Sequence, residues 1–138
     1  MEPLEIFRPV LALVALTFLV LLRIPYVRIR AAYARRVRTE DFALGESVAV
    51  PPDVALPNRN YMNLLELPML FYALAIALFA TQLVDCTLLA LAWLYVGLRA
   101  AHSAVHLTYN HVIHRLVVFA LSNVVLSAMW LLFALKIL

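Results

Sequence analysis

Asn58-Arg59-Asn60-Tyr61-Met62-Asn63-Leu64-Leu65-Glu66-Leu67-Pro68-Met69-Leu70-Phe71 sets an arginine, an asparagine and a glutamate at the head of a run of hydrocarbon side chains. Arg59, Asn63 and Glu66 stand at i, i+4 and i+7, and at about 3.6 residues per turn they share one helical face. A cation, an amide and an anion therefore point together at whatever that face meets. From Leu67 to Val84 no charged residue follows. Such a stretch reads as a membrane span, and ionisable residues at its edge are functional-site candidates by default.

Composition extends that reading to the whole chain. Hydrophobic residues make up 66% and charged residues 14% of the 138, and the mean hydropathy is +0.95. A soluble domain sits near 45–50% apolar and about 25% charged, so a water-soluble fold is excluded and no nucleic-acid partner is expected. The length accommodates about four spans of roughly 20 residues in one domain, 1–138.

Four spans can be placed. The first covers residues 6–30, running through Ile6 to Leu22 and continuing as helix through Arg23, Arg28, Arg30 and Arg35, because no glycine interrupts it and arginine is a good helix former. Pro25 is expected to kink it. The second covers residues 58–82, with Asn58 as N-cap after Pro57. Pro68 is expected to bend this helix without breaking it, since a span tolerates proline where neighbours satisfy the freed carbonyl. The third covers residues 85–108 with Asp85 as N-cap, and the fourth covers residues 113–138. The turns at 83–85 and 109–112 are short, which makes helices two, three and four antiparallel neighbours. The expected fold is all-α and integral to the membrane, an antiparallel bundle of four transmembrane helices. Alanine supplies the small residues at its seams, because Gly45 and Gly97 are the only glycines.

Seven of the eleven Lys and Arg residues, namely Arg23, Arg28, Arg30, Arg35, Arg36, Arg38 and Arg59, flank or lie in the first loop, and Arg115 follows the last turn on the same side. The positive-inside rule makes that side cytoplasmic in a multi-pass protein of a bacterial inner membrane or endoplasmic reticulum type. The acidic opening Met1-Glu2-Pro3-Leu4-Glu5 and the lack of a small-residue cleavage site read as a retained span, not a signal peptide. The single Cys86 rules out a disulfide framework within one chain and reads as a packing residue. The loop at 39–57 carries Glu40, Asp41, Glu46, Asp53 and three prolines. Arg35, Arg36 and Arg38 beside it read as charges that stop translocation.

A second polar set occupies the third span and its exit. Arg99, His102 and His106 share one face at i, i+3 and i+7, running toward His111, His114 and Arg115. Three readings compete. His102 and His106 at i, i+4 could bind a transition metal, but Glu66 is the only carboxylate within a span, so no metal site is expected. The set could be a hydrogen-bond network with Asn63 and Glu66 that ties the helices together. It could also bind a charged ligand, and an excess of cations over one carboxylate suits a zwitterion with more carboxylates than amines.

These residues also carry a family resemblance. Arg59-x-x-x-Asn63-x-x-Glu66 with Pro68 close behind resembles the second-helix signature of the MAPEG family, the membrane-associated proteins in eicosanoid and glutathione metabolism. Arg99-x-x-His102-x-x-x-His106 followed nine residues later by Arg115 is similar to the microsomal prostaglandin E synthase branch, with His106 where that branch has a tyrosine. Arg30 and Thr39-Glu40-Asp41 line up with its basic residue at the end of the first helix and its acidic loop residue.

The resemblance covers essentially the whole chain. It implies a homotrimer with glutathione bound between subunits near the cytoplasmic face and a lipophilic small molecule entering from the bilayer. Arg30, Arg59 and Arg99 would hold the carboxylates, Glu66 the ammonium and Asn63 the backbone of glutathione, with His102 completing the binding set. Arg115 would lie by the thiol, and His106 and Asp41 would join it as the catalytic set. A guanidinium at a helix N-terminus lowers a thiol's pKa from about 8.5 and raises the thiolate fraction. The implied activity is a glutathione-dependent membrane transferase or peroxidase. The alternative is a non-catalytic lipid-binding or accessory membrane protein of the same architecture.

Overall fold

Ile6, Leu13 and Val20 stand seven residues apart and all three are buried, the repeat of a helix that meets its neighbours along one narrow seam. In the computed structural model, which describes residues 2–138, that seam runs from a 3-10 turn at Pro3–Ile6, which holds Ile6, into α1 (Phe7–Tyr33), which holds Leu13 and Val20. The remaining helices are α2 (Pro52–Leu65), α3 (Pro68–Ala80), α4 (Cys86–Leu107) and α5 (Val112–Ile137). α2 and α3 together form one apolar stretch, Pro52–Ala80, so four helical segments are long and apolar enough to cross a membrane, and the described residues contain no strand. The chain is an all-helical four-span bundle. α4 packs on α5 and α1 on α2, while α4 also touches both α1 and α2.

The inward stripe of α4 decides where chemistry can sit. Leu88, Ala92, Tyr95, Arg99, His102 and His106 are all buried and recur at alternating intervals of three and four. The first half of that stripe joins Leu74, Leu78, Leu126 and Met129 in an apolar core, with Tyr95 stacked on Phe71 at 4.9 Å. At Arg99 the same stripe turns polar without leaving the bundle interior. Many large apolar residues on the outer faces, Leu11, Leu19, Leu22, Ile76 and Leu131 among them, are exposed in the isolated chain. In a membrane such faces meet lipid or another chain.

Three expectations from the sequence need correcting. The second span begins at Pro52, not Asn58, because proline at the first helical position is pre-organised and Asp53 favours the positive end of the helix dipole. Pro57 lies inside this helix and is buried, and Asn58 is not a cap. The first helix stops at Tyr33 before reaching Arg35, which takes φ +54, while the Arg36 N–H closes the end on Ala31 O at 2.9 Å. Most consequential, the second span breaks at Glu66–Leu67 instead of merely bending. Pro68 has no N–H to give Leu64 O, so the ladder cannot continue. Asn63 O, which an unbroken helix would pair with the Leu67 N–H, accepts a hydrogen bond from Arg99 Nη2 instead.

The loop before α2 is fastened to α1. Arg28 Nη2 lies 2.9 Å from Glu46 Oε1 and its guanidinium sits over the Phe42 ring at 4.4 Å. Arg36 grips Asp53 through two bonds of 2.8 and 2.9 Å, joining the end of α1 to the start of α2. At the opposite end of the bundle Asp85 caps α4 by accepting from the Leu88 N–H at 2.8 Å, and also meets Lys136 Nζ at 2.7 Å.

Candidate functional site

Between α2, α4 and α5, at the end of the bundle nearest the arginine-rich loop, lies an open cavity of about 520 Å³. α2 contributes Arg59 and Asn63 one turn apart, α4 contributes His102 and His106, and α5 contributes Arg115 and Phe119. The spacing that aligned each pair along its own helix also aims it at this shared space, because the three helices meet on those faces. No carboxylate lines the cavity among the described residues.

The side chains are held unequally. Asn63 Nδ2 donates to Arg59 O at 3.0 Å, which fixes the amide and leaves its oxygen free. His102 and His106 are only 2% and 3% exposed, with rings 5.7 Å apart and edge to face. Both ring nitrogens of His106, and Nδ1 of His102, have no hydrogen-bond partner within the chain. A buried polar atom without a partner costs about 1–3 kcal/mol, so these nitrogens ask for a ligand or water. Arg115 stands in the first turns of α5, where its Nη1 donates to Asn110 Oδ1 at 2.8 Å. Arg59 is exposed at the rim.

The other residues singled out in the sequence lie elsewhere. Arg99 is 0% exposed and does not line the cavity; its Nη2 donates to Asn63 O at the break in the second span and its guanidinium lies 5.7 Å from the Phe119 ring, while its Nε and Nη1 have no partner among the described residues. Glu66 is exposed beside the same break and does not line the cavity. Arg30 opens on a separate cleft of about 490 Å³ with Arg23, Tyr26, Arg36 and Asp53, against the other side of α2. Asp41 is committed to its own turn, accepting from the Arg38 N–H at 2.8 Å and the Ser47 hydroxyl at 3.4 Å. Asn58, expected as a helix cap, stands in the cavity wall with Phe119, and Asn110 stands behind Arg115; none of the three was an expected site residue. Of these only Asn110 carried a local signal, because asparagine between two helices tolerates the left-handed conformation.

Residues 6–135 match the model of the MAPEG family. The chain belongs to the MAPEG family. A search of curated proteins and a search of solved structures each returned no match. Membership agrees with the four apolar helices and makes the chain an integral membrane protein of the glutathione and eicosanoid metabolism type. In this MAPEG chain the bundle holds two polar clefts on opposite sides of α2, and only the one between α2, α4 and α5 brings Arg59, Asn63, His102, His106 and Arg115 together.

Proposed function

We propose that this chain is a glutathione-dependent membrane transferase or peroxidase acting on a lipophilic electrophile or lipid peroxide. One observation carries the reading: Arg59, Asn63, His102, His106 and Arg115, drawn from three helices, converge on one cavity. Its volume of about 520 Å³ falls within the range of roughly 300–1,000 Å³ typical of small-molecule sites. The donor set suits a ligand with excess negative charge, since the walls hold two guanidiniums and no carboxylate. The unpartnered nitrogens of His102 and His106 supply further hydrogen-bonding capacity in a buried place.

When bound, glutathione supplies the thiol. Arg59 at the rim pairs with a carboxylate, and the free Asn63 oxygen accepts from a peptide N–H. Arg115, in the positive opening turns of α5, stabilises negative charge on sulfur and so increases the thiolate fraction. His106 offers a ring nitrogen to the released proton, at the position where the prostaglandin E synthase branch has a tyrosine. The lipophilic substrate reaches the thiolate from the bilayer through the open side of the cavity.

Arg30 and Glu66 enter this reading through a second copy. Arg30 faces a cleft on the far side of α2, so a homotrimer that sets this cleft against the next chain's cavity would bring it to the ligand, with Glu66 near the seam. By the positive-inside rule the shared site faces the cytoplasm. Purified protein in detergent is expected to retain glutathione and to consume it with a generic electrophile, and Arg59→Ala is expected to weaken glutathione binding. Absence of both retention and consumption in a folded sample would favour the accessory lipid-binding reading instead.

A further inference from the structure

The turn between α4 and α5 contains one residue with two structural duties. Asn110 adopts φ +45, a left-handed conformation that costs little for asparagine or glycine and more for other residues. Its N–H reaches back to Val105 O at 2.8 Å and closes the end of α4. Its side-chain Oδ1 reaches forward and accepts from Arg115 Nη1 at 2.8 Å. Arg115 has no ion-pair partner among the described residues, and the bond to Asn110 is the one side-chain hydrogen bond found for it among them. An arginine side chain has several rotatable bonds, and an unanchored guanidinium spends little time in any single orientation. Asn110 does not line the cavity, but the group it holds does.

We infer that Asn110 is a positioning residue, which aims the Arg115 guanidinium at the reacting sulfur by joining it to the end of α4. The inference rests on the role proposed above for Arg115. Because the acceptor is a neutral amide and not a carboxylate, Arg115 is oriented without its charge being cancelled, and the full cationic field remains available to a thiolate. The left-handed backbone fixes where the amide stands, so closing α4 and aiming Arg115 depend on the same conformation.

Asn110→Gly separates the two duties. Glycine accepts φ +45 freely and keeps the backbone bond to Val105, but it removes the side-chain acceptor. The test compares wild type, Asn110→Gly, Arg115→Ser and the double variant in detergent. It reads glutathione affinity, the pH titration of bound thiolate by its ultraviolet absorbance, turnover with a generic electrophile, and thermal stability. Asn110→Gly is expected to leave affinity and thermal stability near wild type, to raise the bound thiol's pKa, and to lower turnover by about tenfold, in line with a small misplacement of a catalytic group. In the Arg115→Ser background it should change neither pKa nor turnover further.

If Arg115→Ser loses both while Asn110→Gly keeps both, Asn110 does not aim Arg115, and the role of Arg115 stands. Equal losses from Asn110→Gly in the presence and absence of Arg115 would show that it acts through the turn, and would overturn the inference. If Arg115→Ser itself leaves thiol pKa and turnover unchanged, the reading of Arg115 falls and this inference falls with it.

Discussion

At the scale of the residue, the cavity contains two arginines with different surroundings. Arg59 is exposed at the rim, whereas Arg115 is half-buried and anchored to Asn110. The proposed division of labour, carboxylate binding for Arg59 and thiolate stabilisation for Arg115, predicts that Arg115→Ser lowers turnover while leaving glutathione affinity largely intact. The bound thiol's pKa should then rise toward its free value of about 8.5, read from thiolate absorbance against pH. Full turnover with an unshifted thiol would remove Arg115 from the mechanism. The spacing along each helix showed that Arg59 goes with Asn63, and His102 with His106. It could not show that Arg99, on the same face as the histidines, is withdrawn from the cavity, since that depends on a carbonyl 36 residues away.

At the scale of the element, the break in the second span and the buried arginine explain each other. Pro68 deprives Leu64 O of its partner, and Arg99 supplies one to Asn63 O. Arg99→Ala is expected to destabilise the bundle by a net of about 1–3 kcal/mol, because the orphaned Asn63 carbonyl and the cavity left behind outweigh the relief of its own unpartnered Nε and Nη1. Adding Pro68→Ala should recover part of that loss, because a restored N–H lets the ladder run through the break. Thermal unfolding of the single and double variants checks both, and no recovery would mean that packing, not the proline, sets the break.

The far end of α4 gives a second test at this scale. The Leu88 N–H and then Lys136 hold the Asp85 carboxyl below the usual carboxylate range. A depressed folded pKa means that the stability it contributes is present above the unfolded value of about 3.9 and is lost as pH falls through the lower folded one. Asp85→Ala is expected to cost about 1 kcal/mol near neutral pH, as for other N-caps. The gap to wild type should close below about pH 4, and a gap that persists in acid would assign the effect to something other than the ionised cap.

At the scale of the whole molecule, the polar groups lie on two clefts separated by α2, one with Arg59 and Arg115, the other with Arg30. The proposed threefold assembly joins these clefts between neighbouring chains. A detergent-corrected mass should be that of three chains. If the site is shared, Arg30→Ala and Arg115→Ser, each weakened alone, should regain part of their turnover when co-expressed, because some interfaces then combine an intact Arg30 with an intact Arg115. A monomeric mass, or the absence of recovery in verified mixed assemblies, would confine the site to one chain and leave Arg30 without a part in it.

Local order along the chain was enough to set the class of this protein. Apolar runs of about 20 residues without alternation satisfy the backbone in lipid as helices and are too long for barrel strands, and short turns force those helices to be neighbours, so four spans and the Asp85 cap were legible from local order alone. The same was true of which polar residues share a helical face, because that depends only on the helical repeat. Tertiary structure decided the rest. Whether a polar residue on such a face is offered to a ligand or used up by the fold depends on what lies across from it. Arg99 is turned to the broken span, Asp41 to its own loop and Arg30 to a different cleft, whereas Arg59, Asn63, His102, His106 and Arg115 are left facing a common space. Those outcomes rest on contacts between distant segments, and no periodicity within a single helix encodes them.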